Sequence, residues 1–147
     1  MVVVKYQNIK SPQELLVFMD DIRYGWLTCG NEVILGKRGG VWAYEKNDKI
    51  VESENSMWLN QKIMSARGIV KYKLGICVDQ VELERDFFES NNYKYEIYDI
   101  AYRTENSRSG HAFLVFKDSD GWSYFEHSSS NNRGIHKFKN KTTCLKY

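Results

Sequence analysis

The sequence predicts an α+β fold in which helices come first and an antiparallel sheet follows. Apolar residues recur at helical spacing in the first half of the chain and again from Cys77 to Phe88. Short strand-like segments joined by tight turns fill the second half, and strands connected in this way pair antiparallel. The chain shows no repeat, linker or low-complexity tract, so we predict one domain over residues 1–147.

Composition indicates a globular chain and narrows its partners. The 147 residues are 42% hydrophobic, 27% charged and 14% aromatic, which favours a packed core over disorder. The net charge of +2 predicts no nucleic-acid partner. The longest apolar runs are far shorter than the about 20 residues of a membrane span, so we expect no membrane segment. The N-terminus lacks a signal-peptide pattern, which makes a cytoplasmic location the expectation.

The first helix is predicted to begin beside Ser11. A serine hydroxyl can cap a helix, Pro12 suits the first helical position, and Glu14 stands where a capping box has its carboxylate. An apolar stripe at helical spacing follows, and Gly25 is expected to end the helix.

Three further predictions cover residues 33–68. Val33–Leu35 and Val41–Tyr44 flank a glycine-rich stretch and predict a β-hairpin. The polar stretch 45–55 is expected to be a loop. A second helix is predicted from about Ser56 to Gly68 on the apolar positions Trp58, Leu59, Ile63 and Met64.

The strongest helical signal starts after Gly75. Carboxylates in the first turns suit the positive end of a helix dipole, and Asn91 is expected to end the helix. Four residues at helical spacing share one side of it: Cys77, Val81, Glu84 and Phe88.

The remainder of the chain is predicted to be sheet. Asp118–Gly121 has turn composition, and it would join the second and third strands. The stretches 103–110 and 128–134 are polar connectors, and we expect a substrate groove between them. The four predicted strands are Tyr95–Tyr102, His111–Lys117, Trp122–His127 and Ile135–Phe138.

Cys77, His111 and Glu126 form a constellation that could support nucleophilic chemistry. A cysteine in the first turn of a helix faces backbone N–H groups and the positive dipole end, which favour the nucleophilic thiolate. Antiparallel pairing across the 118–121 turn would bring His111 beside Glu126 or His127. Successive strand side chains point to opposite faces, so if Glu126 faces His111, His127 faces away. The three groups would then serve as nucleophile, proton shuttle and orienting carboxylate.

Each of these residues also has a non-catalytic explanation. A cysteine on an apolar helix face is often an inert packing residue. His111 could be a hydrogen-bonded core residue and Glu126 a surface residue of a half-exposed strand. A redox-sensing thiol is a further reading, which the absence of a second cysteine close to Cys77 in the sequence disfavours.

The remaining cysteines and histidines lack such partners in the sequence. Cys29 precedes no predicted helix, Cys144 lies near the chain end, and His136 has no acidic residue close to it. A metal site built from Cys77, His111 and His127 lacks ligand spacing. We therefore expect no metal and no other cofactor.

Three motifs in order resemble the signature of the transglutaminase-like superfamily: Gly75-Ile-Cys77, Gly110-His111-Ala-Phe, and Trp122 to Glu126. In that group a Gly-x-Cys opens the central helix, a Gly-His-Ala-aromatic begins a strand, and a Trp precedes an acidic residue by about four positions. A little-characterised bacterial branch is similar over Ser11–Leu16, Tyr24–Trp26 and Cys77–Arg85. The resemblance spans roughly Ser11 to Phe138.

The resemblance implies a papain-like, transglutaminase-like core, in which the central helix with its cysteine packs on an antiparallel sheet. It implies Cys77 as nucleophile, His111 as acid and base, and Glu126 as the orienting residue. Many members have Asp at the third position, whereas Glu keeps the charge on a side chain one methylene longer.

The implied activity is acyl transfer on a peptide or protein substrate. Peptidase or amidase hydrolysis of a peptide or glutamine amide through a thioester is the first expectation. Transglutaminase or protein deamidase chemistry is one alternative, and a non-catalytic protein-binding module that keeps the fold is another.

Such chemistry needs two hydrogen-bond donors for the oxyanion. The backbone N–H of Cys77 is one. Candidates for the second are Trp26, Trp42, Trp58 and Gln80, and the helix position of Gln80 favours a role in holding neighbouring backbone instead.

Overall fold

The chain forms an α+β fold with antiparallel sheets. The computed structural model describes residues 8–28, 33–38, 41–46, 49–53, 62, 64–103, 105 and 108–138. Within these residues, one four-stranded sheet precedes the longest helix and a second follows it. None of the helices in the described part of the chain has the length and apolar character that crossing a bilayer requires.

The first helix, α1, covers Pro12–Phe18 and continues as a 3₁₀ turn over Met19–Asp21. Its predicted start is confirmed, because the Ser11 hydroxyl accepts a hydrogen bond from the Glu14 N–H at 3.1 Å. The predicted end at Gly25 is wrong. Residues 23–25 lie outside the helix, because their backbone bonds to the segment that precedes the longest helix.

Gly25 serves close packing rather than helix termination. A Cβ atom at this position would overlap the carbonyl oxygen of Ile34 and press against the Leu74 side chain. Glycine is therefore the residue that lets the second strand approach the 23–25 segment.

The first sheet has the strand order β1-β2-β3-β4. It consists of β1 (Trp26–Leu27), β2 (Val33–Arg38), β3 (Val41–Lys46) and β4 (Lys49–Ser53). The predicted hairpin of β2 and β3 is confirmed, with both strands longer than predicted. The loop prediction for 45–55 is wrong, because β4 pairs antiparallel with β3. This strand lies at one end of the sheet order, where polar sequences are common.

The second helix, α2, covers Ala66–Tyr72. Ser65 is its N-cap and accepts from the Gly68 N–H at 3.3 Å, so Gly68 lies inside the helix and the predicted end at Gly68 is wrong. The predicted start near Ser56 lies outside the described residues. Met64 is buried just before the helix. Trp58, Leu59 and Ile63 lie outside the described residues.

The third helix, α3, covers Cys77–Ser90, as the apolar periodicity predicts. The Asp79 carboxylate accepts from the Ile76 N–H at 3.1 Å and caps the first turn. Asn91 ends the helix, and its side-chain amide donates to the Phe87 carbonyl at 2.9 Å. The predicted inward side is confirmed, since all four of its members are buried: Cys77, Val81, Glu84 and Phe88.

The second sheet has the order β5-β6-β7-β8, and its strands confirm the predicted ones. They are β5 (Lys94–Arg103), β6 (Arg108–Asp118), β7 (Gly121–Glu126) and β8 (Gly134–Phe138). β6 begins at Arg108, so the last part of the predicted 103–110 connector is strand.

Helix α3 packs on one face of the second sheet through aromatic side chains. The Phe88 ring lies 4.7 Å from the Phe116 ring and 5.6 Å from the Phe125 ring, measured between centroids. Leu15 of α1 and Ile69 of α2 belong to the same buried cluster. The main core therefore lies between the three helices and the second sheet, and it fixes the first turn of α3 against strand β6.

Candidate active site

The thiol of Cys77 lies at the first residue of α3, next to the sheet. Cys77 is only 8% exposed and packs against Val81 and Ala112. A Cβ atom on Gly75 would lie 3.1 Å from the Asp79 Cβ, so the tight turn into the helix suits glycine. The sequence thus places the cysteine where the helix dipole favours a thiolate.

Strand alternation brings His111 and Glu126 together on the second sheet. Val115 of β6 pairs with Tyr124 of β7, so the odd-numbered residues of β6 and the even-numbered residues of β7 share one face. The His111 Nε2 atom and the Glu126 Oε1 atom are hydrogen-bonded. This is the proximity that the turn at 118–121 predicts.

Two hydroxyl groups fix the Glu126 carboxylate in turn. The Tyr124 hydroxyl donates to Oε1 at 2.7 Å, and the Ser128 hydroxyl donates to Oε2 at 3.3 Å. The Glu126 side chain is 3% exposed, whereas that of His111 is 26% exposed. The carboxylate is therefore buried behind an imidazole that reaches solvent.

The thiol of Cys77 hydrogen-bonds the imidazole of His111. Because Nε2 of His111 already faces Glu126, Nδ1 is the ring nitrogen left for the thiol. Backbone N–H groups of Ala112 and Val78 also donate to the sulfur. The sulfur is thus surrounded by donors that stabilise a negative charge.

The pKa of Cys77 is lowered and that of His111 is raised, and both shifts favour a thiolate–imidazolium pair. Burial opposes ionisation of Cys77, but the hydrogen bond from His111, the backbone donors and the imidazolium charge hold the thiol pKa below its ordinary value. The hydrogen bonds with Cys77 and Glu126 raise the pKa of His111 to about 10 against the effect of burial. A thiolate beside an imidazolium is the reactive form of a cysteine nucleophile.

His127 faces away from this pair, as strand alternation predicts once Glu126 faces His111. Its Nδ1 atom is hydrogen-bonded to Oε1 of Gln80 at 2.7 Å, and the residue is fully buried. Burial, together with the nearby charge of Arg133, lowers the pKa of His127 to about 4. The neutral His127 thus joins the sheet to α3 on the side away from His111.

Of the predicted candidates for a second oxyanion donor, the structure describes the side chains of Gln80 and Trp26. Gln80 donates through Nε2 to the Gly75 carbonyl at 2.8 Å, so it holds neighbouring backbone as its helix position favours. Trp26 is buried with Ile34 and Ile76. The side chain of Trp42 and all of Trp58 lie outside what the structure describes.

Tyr24 is a site residue that the sequence analysis missed. Its hydroxyl interacts with both the thiol and the backbone N–H of Cys77. Burial of the hydroxyl and the neighbouring thiol raise the pKa of Tyr24 to about 12. The residue is 46% exposed. Its one sequence signal is the motif Tyr24-Gly25-Trp26, which contributed to the resemblance alone.

Glu84 is a second missed residue, although its helical spacing from Cys77 was a visible signal. Its carboxyl group is 2% exposed, and Oε1 has no hydrogen-bond partner among the described residues. Burial and the charge of Glu126 raise the pKa of Glu84 well above its ordinary value. This environment favours the protonated form of Glu84, which lies close enough to Cys77, His111 and Glu126 to respond to their charges.

A groove of about 740 Å³ opens beside the first turn of α3. It is bordered by residues of α3 and by residues at the start of α2, including Ser65, Val78, Asp79, Glu82 and Arg85. It differs from the groove predicted between 103–110 and 128–134, which stays a prediction.

The structure brings Cys77, His111 and Glu126 together, and their catalytic roles stay a prediction. Cys77 is the free cysteine of the described residues, while Cys29 and Cys144 lie outside them. His136 is bonded through Nε2 to the Asn132 carbonyl at 2.7 Å, and its ring stacks on Tyr124 at 5.6 Å between centroids. Comparisons with protein-family models, with curated proteins and with solved structures each gave no match to this chain.

Proposed function

We propose that this chain is a cysteine-dependent acyl-transfer enzyme, with Cys77 as nucleophile, His111 as acid and base, and Glu126 as the residue that orients the imidazole. The observation that supports it most is the position of His111, which is hydrogen-bonded to the thiol on one side and to a buried carboxylate on the other. The fold proposed with this function is the papain-like, transglutaminase-like core.

The reaction begins with attack of the Cys77 thiolate on the carbonyl carbon of an amide. A C–S bond forms, and the carbonyl electrons move to the oxygen, where the Cys77 N–H can donate. The imidazolium of His111 then gives its proton to the leaving nitrogen as the C–N bond breaks, which leaves a thioester. Water, deprotonated by the neutral imidazole, attacks the thioester and releases a carboxylic acid and the thiolate.

The acyl donor is a peptide amide or a glutamine side chain of a peptide or protein. Hydrolysis is the first proposal, and attack by an amine in place of water would give transamidation. The low exposure of Cys77 and the half-exposed Tyr24 beside it favour a slender donor such as a glutamine side chain.

Intact mass spectrometry of a panel of glutamine-containing peptides, with and without a primary amine, tests the proposal. A gain of about 1 Da indicates deamidation, an amine adduct indicates transamidation, and fragments indicate peptidase action. The activity should vanish in Cys77→Ala and persist in the matched double variant Cys29→Ala/Cys144→Ala. Turnover that survives Cys77→Ala would contradict Cys77 as the nucleophile. No turnover of any peptide would contradict the enzyme proposal and favour a binding module.

A further inference from the structure

The position of Tyr24 is set by backbone hydrogen bonds to the segment that leads into α3. The Arg23 N–H donates to the Lys73 carbonyl at 2.9 Å, and the Gly75 N–H donates back to the Arg23 carbonyl at 3.1 Å. A parallel bridge joins Arg23 and Leu74. The backbone on both sides of Tyr24 is thus held directly beside the residues that precede Cys77.

The hydroxyl of Tyr24 lies in the region where an oxyanion would form. It is in hydrogen-bonding reach of the backbone N–H of Cys77 and of its sulfur. When a sulfur attacks a carbonyl carbon, the carbonyl oxygen comes to lie next to that sulfur, where the N–H of the nucleophilic residue can donate to it. A group that contacts both atoms of Cys77 therefore borders the same space.

Two further properties suit Tyr24 to donate a hydrogen bond there. Its raised pKa keeps the hydroxyl proton in place across the neutral range. Its ring is about half exposed, so the hydroxyl can shift outward when a carbonyl oxygen enters. Gln80 is excluded from the role because its amide is already bonded to Gly75.

We propose that the Tyr24 hydroxyl is the second oxyanion donor, acting together with the Cys77 N–H on the carbonyl oxygen of an acyl substrate. This inference rests on the proposed function, because an oxyanion forms only if Cys77 attacks a carbonyl group.

The probe for this step is p-nitrophenyl acetate. The Cys77 sulfur bonds to the carbonyl carbon, and the carbonyl electron pair moves to the oxygen between the two donors. When the carbonyl reforms, the bond to the phenolic oxygen breaks and p-nitrophenolate leaves with its electron pair. Once the sulfur is acylated and uncharged, the His111 imidazolium releases its proton to solvent. Water then attacks the acetyl thioester while the neutral imidazole accepts one proton, and the C–S bond breaks to restore the thiolate beside the imidazolium. The acetic acid that leaves gives its proton to solvent and becomes acetate.

Iodoacetamide is the matched reagent without an oxyanion. It alkylates the same sulfur by displacement of iodide from a saturated carbon, and no charge develops on an oxygen. A loss of acylation without a loss of alkylation therefore separates stabilisation of the oxyanion from a change in the thiolate.

The experiment compares Tyr24→Phe with Tyr72→Phe, a change at a tyrosine that is 37% exposed on α2. All variants carry Cys29→Ala and Cys144→Ala. We expect Tyr24→Phe to release p-nitrophenolate on the order of 100-fold more slowly, and to react with iodoacetamide within about threefold of the parent protein. Tyr72→Phe should change neither rate.

Three results overturn the inference, and they are distinguishable. Equal acylation rates in Tyr24→Phe and the parent exclude a donor role while leaving the proposed function intact. Faster acylation in Tyr24→Phe shows that the hydroxyl blocks the site instead. A parent protein that is alkylated rapidly but never acylated removes the proposed function and the oxyanion role together.

Discussion

Two histidines of the second sheet differ in what their ring nitrogens face. His111, on β6, is hydrogen-bonded to a thiol and to a carboxylate, and its pKa is raised to about 10. His127, directly after β7, faces the neutral amide of Gln80, and its pKa is lowered to about 4. Burial by itself would lower the pKa of both rings. The charge of the neighbouring group therefore decides which histidine is protonated at neutral pH.

The contrast follows from one property of a strand. Glu126 and His127 are adjacent in the chain, so their side chains point to opposite faces of the sheet. Glu126 directs its charge at His111, while His127 points to α3. A short piece of sequence thus separates a charged imidazole from a neutral one.

Removal of the charged histidine should have the largest effect. In His111→Ala the Cys77 thiol loses its hydrogen bond and its cationic neighbour, so its pKa rises and the thiolate fraction falls. We expect alkylation by iodoacetamide at pH 7 to slow on the order of 100-fold, with most of the rate recovered at pH 10. The measurement is the alkylation rate in the Cys29→Ala/Cys144→Ala background.

Lys137→Ala is the control for that change, because the exposed Lys137 side chain of β8 pairs with Asp120. It should leave the rate unaltered. Equal alkylation rates for His111→Ala and the parent at pH 7 would show that His111 does not stabilise the Cys77 thiolate.

The neutral histidine should appear in the pH dependence of stability. His127 has a pKa of about 4 in the folded chain against 6.5 ordinarily. Its neutral form therefore contributes stability that is present above about pH 6.5 and is lost as the pH falls toward 4. Between pH 7 and 4.5 the parent should lose about 2 kcal/mol more unfolding free energy than His127→Gln does. Urea unfolding at the two pH values measures this difference.

Parallel losses in the parent and in His127→Gln would show that His127 does not remain neutral in the fold.

Neutralising the carboxylate should bring the two histidines closer in pKa. Glu126→Gln keeps the length of the side chain and removes its charge, so the pKa of His111 should fall by about one to two units. NMR titration of the imidazole resonances measures the shift. Glu82→Gln, at an exposed residue of α3 that pairs with Arg85, should leave the His111 pKa in place. If the pKa of His111 does not shift in Glu126→Gln, the interaction with the Cys77 thiol alone would account for its raised value.

The smallest effect is expected at Glu84, behind the charged pair. Its raised pKa means that folding at neutral pH requires protonation of a carboxyl that is ionised in the unfolded chain. This cost is absent below about pH 4 and grows as the pH rises. Glu84→Gln should therefore raise the unfolding free energy at pH 7 relative to the parent and have little effect at pH 4. The exposed Glu89→Gln is the control, and a destabilised Glu84→Gln at pH 7 would contradict a neutral Glu84.

The parts of the fold that depend on local periodicity could be predicted from the sequence. The spacing of Cys77, Val81 and Phe88 identified α3 and its inward side, and the 118–121 turn predicted that His111 meets Glu126. Both arguments need only neighbours along one helix or across one turn.

The parts that depend on distant pairing could not be predicted. Tyr24 reaches Cys77 only because residues 23–25 bridge to the segment before α3, and no periodic pattern encodes a bridge between such remote segments. Strand β4 was missed because its polar sequence resembles a loop and its structure depends on pairing with β3. The end of α1 could not be predicted for the same reason. Gly25 is required for the close approach of the Ile34 backbone on β2, and it does not mark the end of the helix.

The carbonyl oxygen of Ile34 lies so close to Gly25 that no larger residue fits between them. Residues 23–25 therefore pack directly against β2 of the first sheet. Cys77, His111 and Glu126 all lie outside that sheet. The position of the proposed second oxyanion donor is in this way tied to a β-strand of the other sheet.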